Sequence, residues 1–398
     1  MESLRILVNE LRVAEQFNTD YNQEFTKEFA VGETVRVKNP QRFLIRDGLS
    51  YSPQPINRNY TTVTVDQIFG VDFEWDSVDA ALKQERGEEA IRREYLKPAM
   101  AQIAQEIDSR AALWAYQNTN NIVGVLGTNP TSVQVINQAR ARMQQKACPP
   151  GDKRVILTSN MQVSLSNAQA TIFNPTTVIS ETYRDGLINT GYGFRDWYES
   201  QSLYQHTAGT WAGTVEMNSA GQAGGSITVT ATNGDTFFKG DVFNIAGVYA
   251  VNPSTRRSTG VLQEFVILQD TVAAGGAATL SISPAIVGPG SQYQNVDSLP
   301  ANGADLTLFP GTASPNGKIG MNGLALHRDA FALVGVKLEK PTAAEISVQS
   351  RDPKTGIAIR FVRMFDPQQS KMINRFDVLL GFGNLYPDSC AVRVLGGL

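Results

Sequence analysis

The sequence predicts an α+β fold that carries an inserted, small antiparallel β domain. Three observations lead there. Apolar and polar residues alternate over TVRVK (34–38) and YTTVTVDQI (60–68), the pattern of half-buried strands. Leu96, Met100, Ile103, Ile107, Ala111 and Trp114 then recur at three- and four-residue steps, which puts one apolar stripe on a long helix. Residues 213–312 differ again: they hold 14 of the 34 glycines and three basic residues (Lys239, Arg256, Arg257) against seven acidic ones, with short alternating runs between glycine turns. That composition starts and stops abruptly, as a domain set into a host would.

From the N-terminus, residues 1–28 read as an amphipathic arm with Leu4, Leu7, Val8, Leu11 and Ala14 on one helical face. Residues 29–76 read as a long two-stranded hairpin, interrupted at Pro40 and turned at Asp47-Gly48 and Pro53-Gln54-Pro55. Arg36, Lys38, Arg42, Arg46 and Arg58 on its flanks suit a solvated ribbon. Such a hairpin cannot bury a core alone, and the arm has none either, so both are expected to be covered by another chain. The long helix runs from Ser77 to about Gln117, with Pro98 near its start or at a kink and with Glu106 and Asp108 on its surface. Residues 132–146 and 161–170 read as further helices, with KRVILTSN (153–160) a short strand between them. Inside the insertion, SITVTAT (226–232), DVFNIAGV (241–248), EFVIL (264–268) and ATLSIS (278–283) predict a small barrel or sandwich. Beyond it, Asp329 reads as a residue near a helix N-terminus, with Ala330, Phe331, Leu333 and Val334 as the buried face. Strand patterns return in GIAIRFVRMFD (356–366), NRFDVLLGF (374–382) and SCAVRVL (389–395).

Composition narrows the function classes. With 35 Lys+Arg against 38 Asp+Glu, the net charge of −3 gives no overall basicity that would point to nucleic acid. Cys148 and Cys390 are far apart and neither sits in a CxxC pair, so neither a disulfide framework nor a zinc site is expected. The start MESLRILVNELRVAEQFN lacks the apolar core of a signal peptide, and no window approaches the ~20 apolar residues of a membrane helix. The expectation is a soluble, cytoplasmic product with no membrane partner.

No chemical motif stands out. There is no P-loop and no GxSxG elbow, GYGFRD (191–196) reads as a turn, and the two histidines, His206 and His327, exclude a histidine-rich metal site. His327 lies between Leu326 and the Arg328-Asp329 pair, but Asp329 is only two residues away and poorly placed to orient a catalytic imidazole. His327 is therefore read as structural, and no catalytic, cofactor or metal residue is assigned.

The order of parts carries more information than any one motif. REYLKPAMAQIAQEIDSRA (93–111), NGLALHRDAFALV (322–334) and INRFDVLLGFGNLYPDSCAVRV (373–394) follow an arm and a basic hairpin. This layout resembles the major capsid proteins of tailed bacteriophages with the HK97-like fold. The insertion, notably FKGDVFNIAGVYAVNP (238–253), is similar to the inserted domain of P22-type coat proteins. The resemblance implies an N-terminal arm at 1–28, an E-loop hairpin at 29–76, and a peripheral domain with a spine helix at 77–118 and 355–398. It implies an axial domain at 119–212 and 313–354, with His327 in one of its helices, and an inserted β-barrel-like domain at 213–312. The function implied is that of a non-enzymatic major capsid protein without cofactors. It would self-assemble into pentameric and hexameric capsomers of an icosahedral shell around viral double-stranded DNA, and be assembled in the host cytoplasm. Its partners would be copies of itself, a scaffolding protein, a portal and DNA held by non-specific contact, with a decoration protein left open. Arg36, Lys38, Arg42, Arg46 and Arg58 would make intersubunit contacts. The loop lysine crosslink of some relatives is not carried over to Lys38, because no asparagine and carboxylate partners are evident around it. Two other readings are an encapsulin-like nanocompartment shell and a carbohydrate-binding or adhesin protein using Phe237, Phe238, Phe243, Tyr249, Phe265 and Tyr293 of the insertion. A hydrolase is a remote third.

Overall fold

The computed structural model describes residues 2–20, 34–38, 42, 43, 45, 48, 49, 53, 54, 56, 60–76, 95–169, 191–341, 346–353, 355–368 and 371–398. In chain order these form α1 (Glu2–Glu10), β1 (Thr34–Lys38), β2 (Tyr60–Asp76), α2 (Lys97–Asn118), β3 (Ile122–Gly124) and α3 (Gln134–Gln145). Then come β4 (Lys153–Leu157), α4 (Ser159–Gln169), β5 (Asp196–Glu199) and β6 (Gln205–Thr207). The insertion supplies β7 (Val215–Met217), β8 (Gly224–Thr230), β9 (Thr236–Phe237), β10 (Val242–Val251), β11 (Ser258–Ile267), β12 (Thr271–Val272), β13 (Ala277–Ile286) and β14 (Asp305–Leu308). The chain ends with β15 (Ile319–His327), β16 (Phe331–Val336), β17 (Ile346–Arg351), β18 (Ala358–Asp366), β19 (Lys371–Asn384), the one-turn α5 (Pro387–Cys390) and β20 (Ala391–Gly396).

Two compact units divide the chain. The first comprises Met1–Asn39, Tyr60–Ala111 and Phe331–Leu385; the second comprises Pro40–Asn59, Ala112–Ala330 and Tyr386–Leu398. In this division 331–385 group with Lys97–Ala111 of α2, whereas Ala112–Asn118 and 386–398 group with the insertion.

The first unit is an antiparallel sheet ordered β1-β2-β19-β18-β17, with β16 also pairing β19. Of the expected hairpin, the described residues show the base, where Thr34–Lys38 pair with Thr64–Tyr60. The rest of β2 pairs with β19 from Asp76↔Lys371 to Thr64↔Phe382. So the partner that the long alternating run requires comes from the same chain. Gly70 permits this close approach: a Cβ there would lie 1.9 Å from the Phe376 carbonyl oxygen.

The N-terminal segment is likewise covered within its own unit. Leu4, Leu7, Leu11, Ala14 and Phe17 are buried, and the Phe17 ring sits 5.3 Å from that of Phe331 and edge-on to Phe382 at 6.3 Å. The expectation that another chain covers this arm is thus corrected for the described residues 2–20. The stripe of α2 is buried at Met100, Ile103, Ala104, Ile107 and Ala111, with Pro98 in the first turn. Asp108, expected on the surface, is instead 3% exposed. Its carboxylate accepts the backbone N–H groups of Arg12 (2.7 Å), Val13 (3.1 Å) and Ala14 (2.9 Å). Burial raises its pKa, and those N–H groups and the Arg12 charge pull it back down.

Residues 331–336 overturn a second expectation. They form β16 and not a helix, after a single 3₁₀ turn at Arg328–Ala330. All six are buried, so the run FALVGV shows no period by which strand and helix could be told apart. It follows that His327 closes a strand and lies in no helix.

In the second unit, a mixed sheet runs β3-β20-β15-β4-β5, with β6 also on β15. β20–β3 and β4–β5 are parallel, while β15 is antiparallel to both its long neighbours. The chain leaves this sheet through β6 and returns through β15, paired as Gln205↔Met321 to Thr207↔Ile319. Between them lies a closed antiparallel barrel, β10-β11-β13-β8-β7-β14. Its first and last strands pair at Val215↔Leu306 and Glu216↔Asp305. Phe237, Phe243, Phe265, Leu280 and Leu308 fill its core, which continues into Ile122, Leu126 and Leu395 of the sheet.

Candidate functional site

Among the described residues, three regions carry chemistry beyond ordinary packing: a loop surface, a buried polar seat beneath the barrel, and a cluster of two cysteines and a histidine. The loop belongs to residues 40–59 of the second unit. Phe43, Ile45, Leu49 and Ile56 are 62%, 95%, 99% and 71% exposed there. Apolar side chains at that exposure in one short segment mark an interaction surface.

The cations expected beside them are not gathered into one cluster. Arg36 is exposed on β1 opposite Thr62, in the first unit. The Lys38 backbone ends the same strand opposite Tyr60, its side chain being outside the described set. Arg42 is half-buried with its guanidinium 6.0 Å from the centre of the Tyr293 ring. Arg46 and Arg58 lie outside the described residues. Gln54 accepts a 3.4 Å hydrogen bond from the Gln292 side chain, so the loop meets the barrel at residues 292 and 293.

The seat is centred on Arg393 of β20, which is fully buried. Its Nη1 donates to the Gly240 carbonyl at 2.9 Å, and its guanidinium lies 5.2 Å from the Tyr116 ring centre. Burial pulls its pKa down to about 10, against the pull of Tyr116, Asp241 and Glu264, so it remains a cation at neutral pH. The Tyr116 hydroxyl touches His206 Nδ1, and His206 Nε2 bonds Asp241 Oδ1 at 2.7 Å. Asp241 also accepts the N–H of Phe238 at 2.8 Å. Gly240 has φ +96°, and a Cβ there would lie 2.3 Å from the Tyr116 hydroxyl. This Tyr-His-Asp row is enclosed, and burial raises the Tyr116 pKa. It fixes the turn entering β10 against the sheet.

Beside it, Glu264 accepts the Ile122 N–H at 2.9 Å and pairs with Arg142 at 3.2 Å. Burial raises the Glu264 pKa, with Arg142 opposing. Asp388 bonds Lys146 (2.6 Å), Asn120 (2.8 Å) and Gln263 (3.2 Å). Burial acts to raise its pKa, but the Lys146 charge and these hydrogen bonds hold it below the usual value. Among the aromatic residues of the insertion, Phe237, Phe243 and Phe265 are core, whereas Phe238 and Tyr249 are exposed singly. No exposed aromatic row for a sugar is present among the described residues.

Three potential metal-ligating side chains also converge. Cys148, His327 and Cys390, all buried, place their ligand atoms within 4.8 Å of one another. Sequence reasoning missed this because the residues come from the ends of three separate elements. Among the described residues, no helix is long and apolar enough to cross a membrane.

Comparison with known proteins agrees with this picture. A family model described as P22 coat protein, gene protein 5, matches residues 59–396. A search of curated proteins finds no match. Among solved structures, that of Mycobacterium phage Che8 aligns with a TM-score of 0.50 at 13% identity, over 96% of this chain and 90% of that one. The CUS-3 coat protein I-domain is 26% identical, with a TM-score of 0.19, over 24% of this chain and 95% of that one. The bacteriophage PhiM1 mature capsid aligns at 10% identity and a TM-score of 0.41, over 92% and 82%. The Che8 similarity establishes the fold as the HK97-like capsid type, here with an inserted antiparallel β domain.

Proposed function

The chain belongs to the P22 coat protein family, and from that premise we propose that its copies close into pentameric and hexameric capsomers of an icosahedral shell around double-stranded DNA. It is a major capsid protein, located in the virion capsid, and coat-family membership implies a structural role rather than an enzymatic one. The nanocompartment and carbohydrate-binding readings are not favoured.

The observation that carries the proposal is the exposed apolar loop. Burying Phe43, Ile45, Leu49 and Ile56 against a neighbour would contribute about 1.5–3 kcal/mol each, or about 6–12 kcal/mol per loop before ordering is charged against it. Contacts of that size, repeated by symmetry, suit a shell that closes from reversible steps. Arg36, Lys38, Arg42, Arg46 and Arg58, which flank these residues in sequence, would add salt-sensitive intersubunit contacts. In functional terms the chain is organised as an arm (1–28), an E-loop (29–76), a peripheral domain (77–118, 355–398), an axial domain (119–212, 313–354) and an insertion (213–312). A scaffolding protein and a portal direct closure, and DNA is held by non-specific contact.

Negative-stain microscopy with sedimentation of the full-length protein, alone and with its scaffolding protein, tests this. Closed shells or rings of five and six support it. A monodisperse monomer under both conditions would overturn it.

A further inference from the structure

The geometry points to a metal site: we propose that Cys148, His327 and Cys390 bind one thiophilic divalent cation of the Zn²⁺ type. Capsid membership does not call for such a site, and it rests on four observations.

The first is the donor set. Two thiols and an imidazole are the soft and borderline ligands that zinc selects over magnesium or calcium, and their ligand atoms all lie within 4.8 Å of one another. With Zn–S bonds of about 2.3 Å, neighbouring sulfurs of a tetrahedral site stand about 3.8 Å apart. The three groups therefore need to draw in by less than about 1 Å for tetrahedral ligation.

The second is rigid placement from three independent elements. Cys148 follows α3, where Ala147 at φ +59° turns the chain and the Cys148 N–H bonds the Met143 carbonyl at 2.9 Å. His327 closes β15 opposite Lys153 of β4. Cys390 ends α5, its N–H held by the Tyr386 carbonyl at 2.9 Å. Positions fixed by backbone pairing hold a ligand constellation better than a free loop does.

The third is support around the ligands. Asp329 Oδ2 lies 3.6 Å from His327 Nδ1, and the Asp329 N–H is 3.2 Å from the same nitrogen. Ser389 Oγ is 3.6 Å from Cys390 Sγ. On ligation through Nε2, Nδ1 would take the ring proton and turn it toward the Asp329 carboxylate in place of accepting the Asp329 N–H, the usual support for a ligating histidine.

The fourth is access. A cleft of about 300 Å³ is lined by Cys390 and Asp329 together with Lys146, Pro149 and Tyr386, so it opens onto the Cys390 side of the cluster. The charges also balance: each cysteine binds as a thiolate and releases its proton to solvent, so a dication adds no net charge to a buried place. A disulfide between the two cysteines would use only two of the three converged groups.

The test uses the untagged full-length protein, purified under a non-thiol reductant and freed of metal. Titration with Co²⁺ should give one equivalent per chain, with thiolate charge-transfer and tetrahedral ligand-field bands that Zn²⁺ abolishes. Cys148→Ser and Cys390→Ser should each remove the charge-transfer intensity of one thiolate, and His327→Gln should weaken binding at least about tenfold. Because buried variants can misfold, a measurement on the unmodified chain stands beside them. Zn²⁺ at about 100 times its Kd should slow alkylation of both thiols roughly a hundredfold. Absence of tetrahedral bands, bands that persist in the double cysteine variant, or the two thiols joined as a disulfide in a parallel preparation made anaerobically without reductant would each overturn the proposal.

Discussion

Substituting Asp108 tests how the N-terminal segment is held. Its Oδ1 takes the N–H groups of Val13 and Ala14, both fully buried, and its Oδ2 takes that of the exposed Arg12. In Asp108→Ala, Arg12 can turn to water but Val13 and Ala14 cannot. Each buried N–H left without an acceptor costs about 1–3 kcal/mol, giving about 2–6 kcal/mol in all. Local release of residues 2–17 limits that loss, so about 3 kcal/mol is the expected value. Asp108→Asn separates the contributions. Its carbonyl can still serve the two buried amides, while its NH₂ now faces the Arg12 N–H, and about 1 kcal/mol should be lost. Native-state hydrogen exchange on the unassembled protein reads this directly. The Val13 and Ala14 amides should exchange roughly a hundredfold faster in Asp108→Ala, with β18 and β19 unaffected. An increase below about threefold would refute the reasoning, because the packing of Leu7, Leu11 and Phe17 would then hold the segment unaided.

Three further outcomes are expected. Ile45→Ser with Leu49→Ser should leave the urea midpoint of the monomer within about 0.5 kcal/mol of wild type while weakening shell assembly by light scattering; an equal loss of both would mean the loop packs within its own chain. Gly240→Ala should cost at least about 2 kcal/mol in urea unfolding, because the new methyl meets the Tyr116 hydroxyl at a positive φ; an unchanged midpoint would mean that Tyr116 moves freely. Glu264 has a raised pKa in the folded state, so the native protein binds more protons than the unfolded chain between the ordinary carboxyl value and that raised one. Its contribution to stability is fully present below the unfolded pKa and is lost as pH rises through the folded one. Unfolding curves from pH 4 to 8 should accordingly show a steeper decline with pH in wild type than in Glu264→Gln, and parallel profiles would contradict it.

The sequence made legible those parts of the fold whose periodicity survives in a window of ten or so residues. The α2 stripe and the alternating strands β1 and β2 show on one face what packing buries. β16 was hidden because a strand buried on both faces loses its alternation. Asp108 was hidden because an acidic residue two positions from both Arg110 and Glu106 looks solvated; only the return of a distant segment reveals three amides waiting for it. The same applies to the Cys148-His327-Cys390 cluster, whose members share no motif spacing. In the loop, arginines drew the sequence reading toward charge, and the structure moves the weight to the apolar residues between them.

The paired strands β6 and β15, through which the insertion leaves and re-enters the sheet, bear on how such a chain could have been built. The two crossing points stand one strand spacing apart, about 4.8 Å, with Ala208 N–H bonded to the Lys318 carbonyl at 2.9 Å. A segment whose ends already meet adds almost no closure entropy to the host, however long it becomes. A hairpin tip at this point could therefore lengthen by degrees, or accept a whole foreign module, without disturbing the register beneath. Loss is another matter. The barrel core now runs into Ile122, Leu126 and Leu395, so excising it would strand apolar surface that an ancestor without the insertion must have covered with other side chains. Acquisition would have needed only a turn, whereas reversal would need a compensating set of substitutions in the sheet.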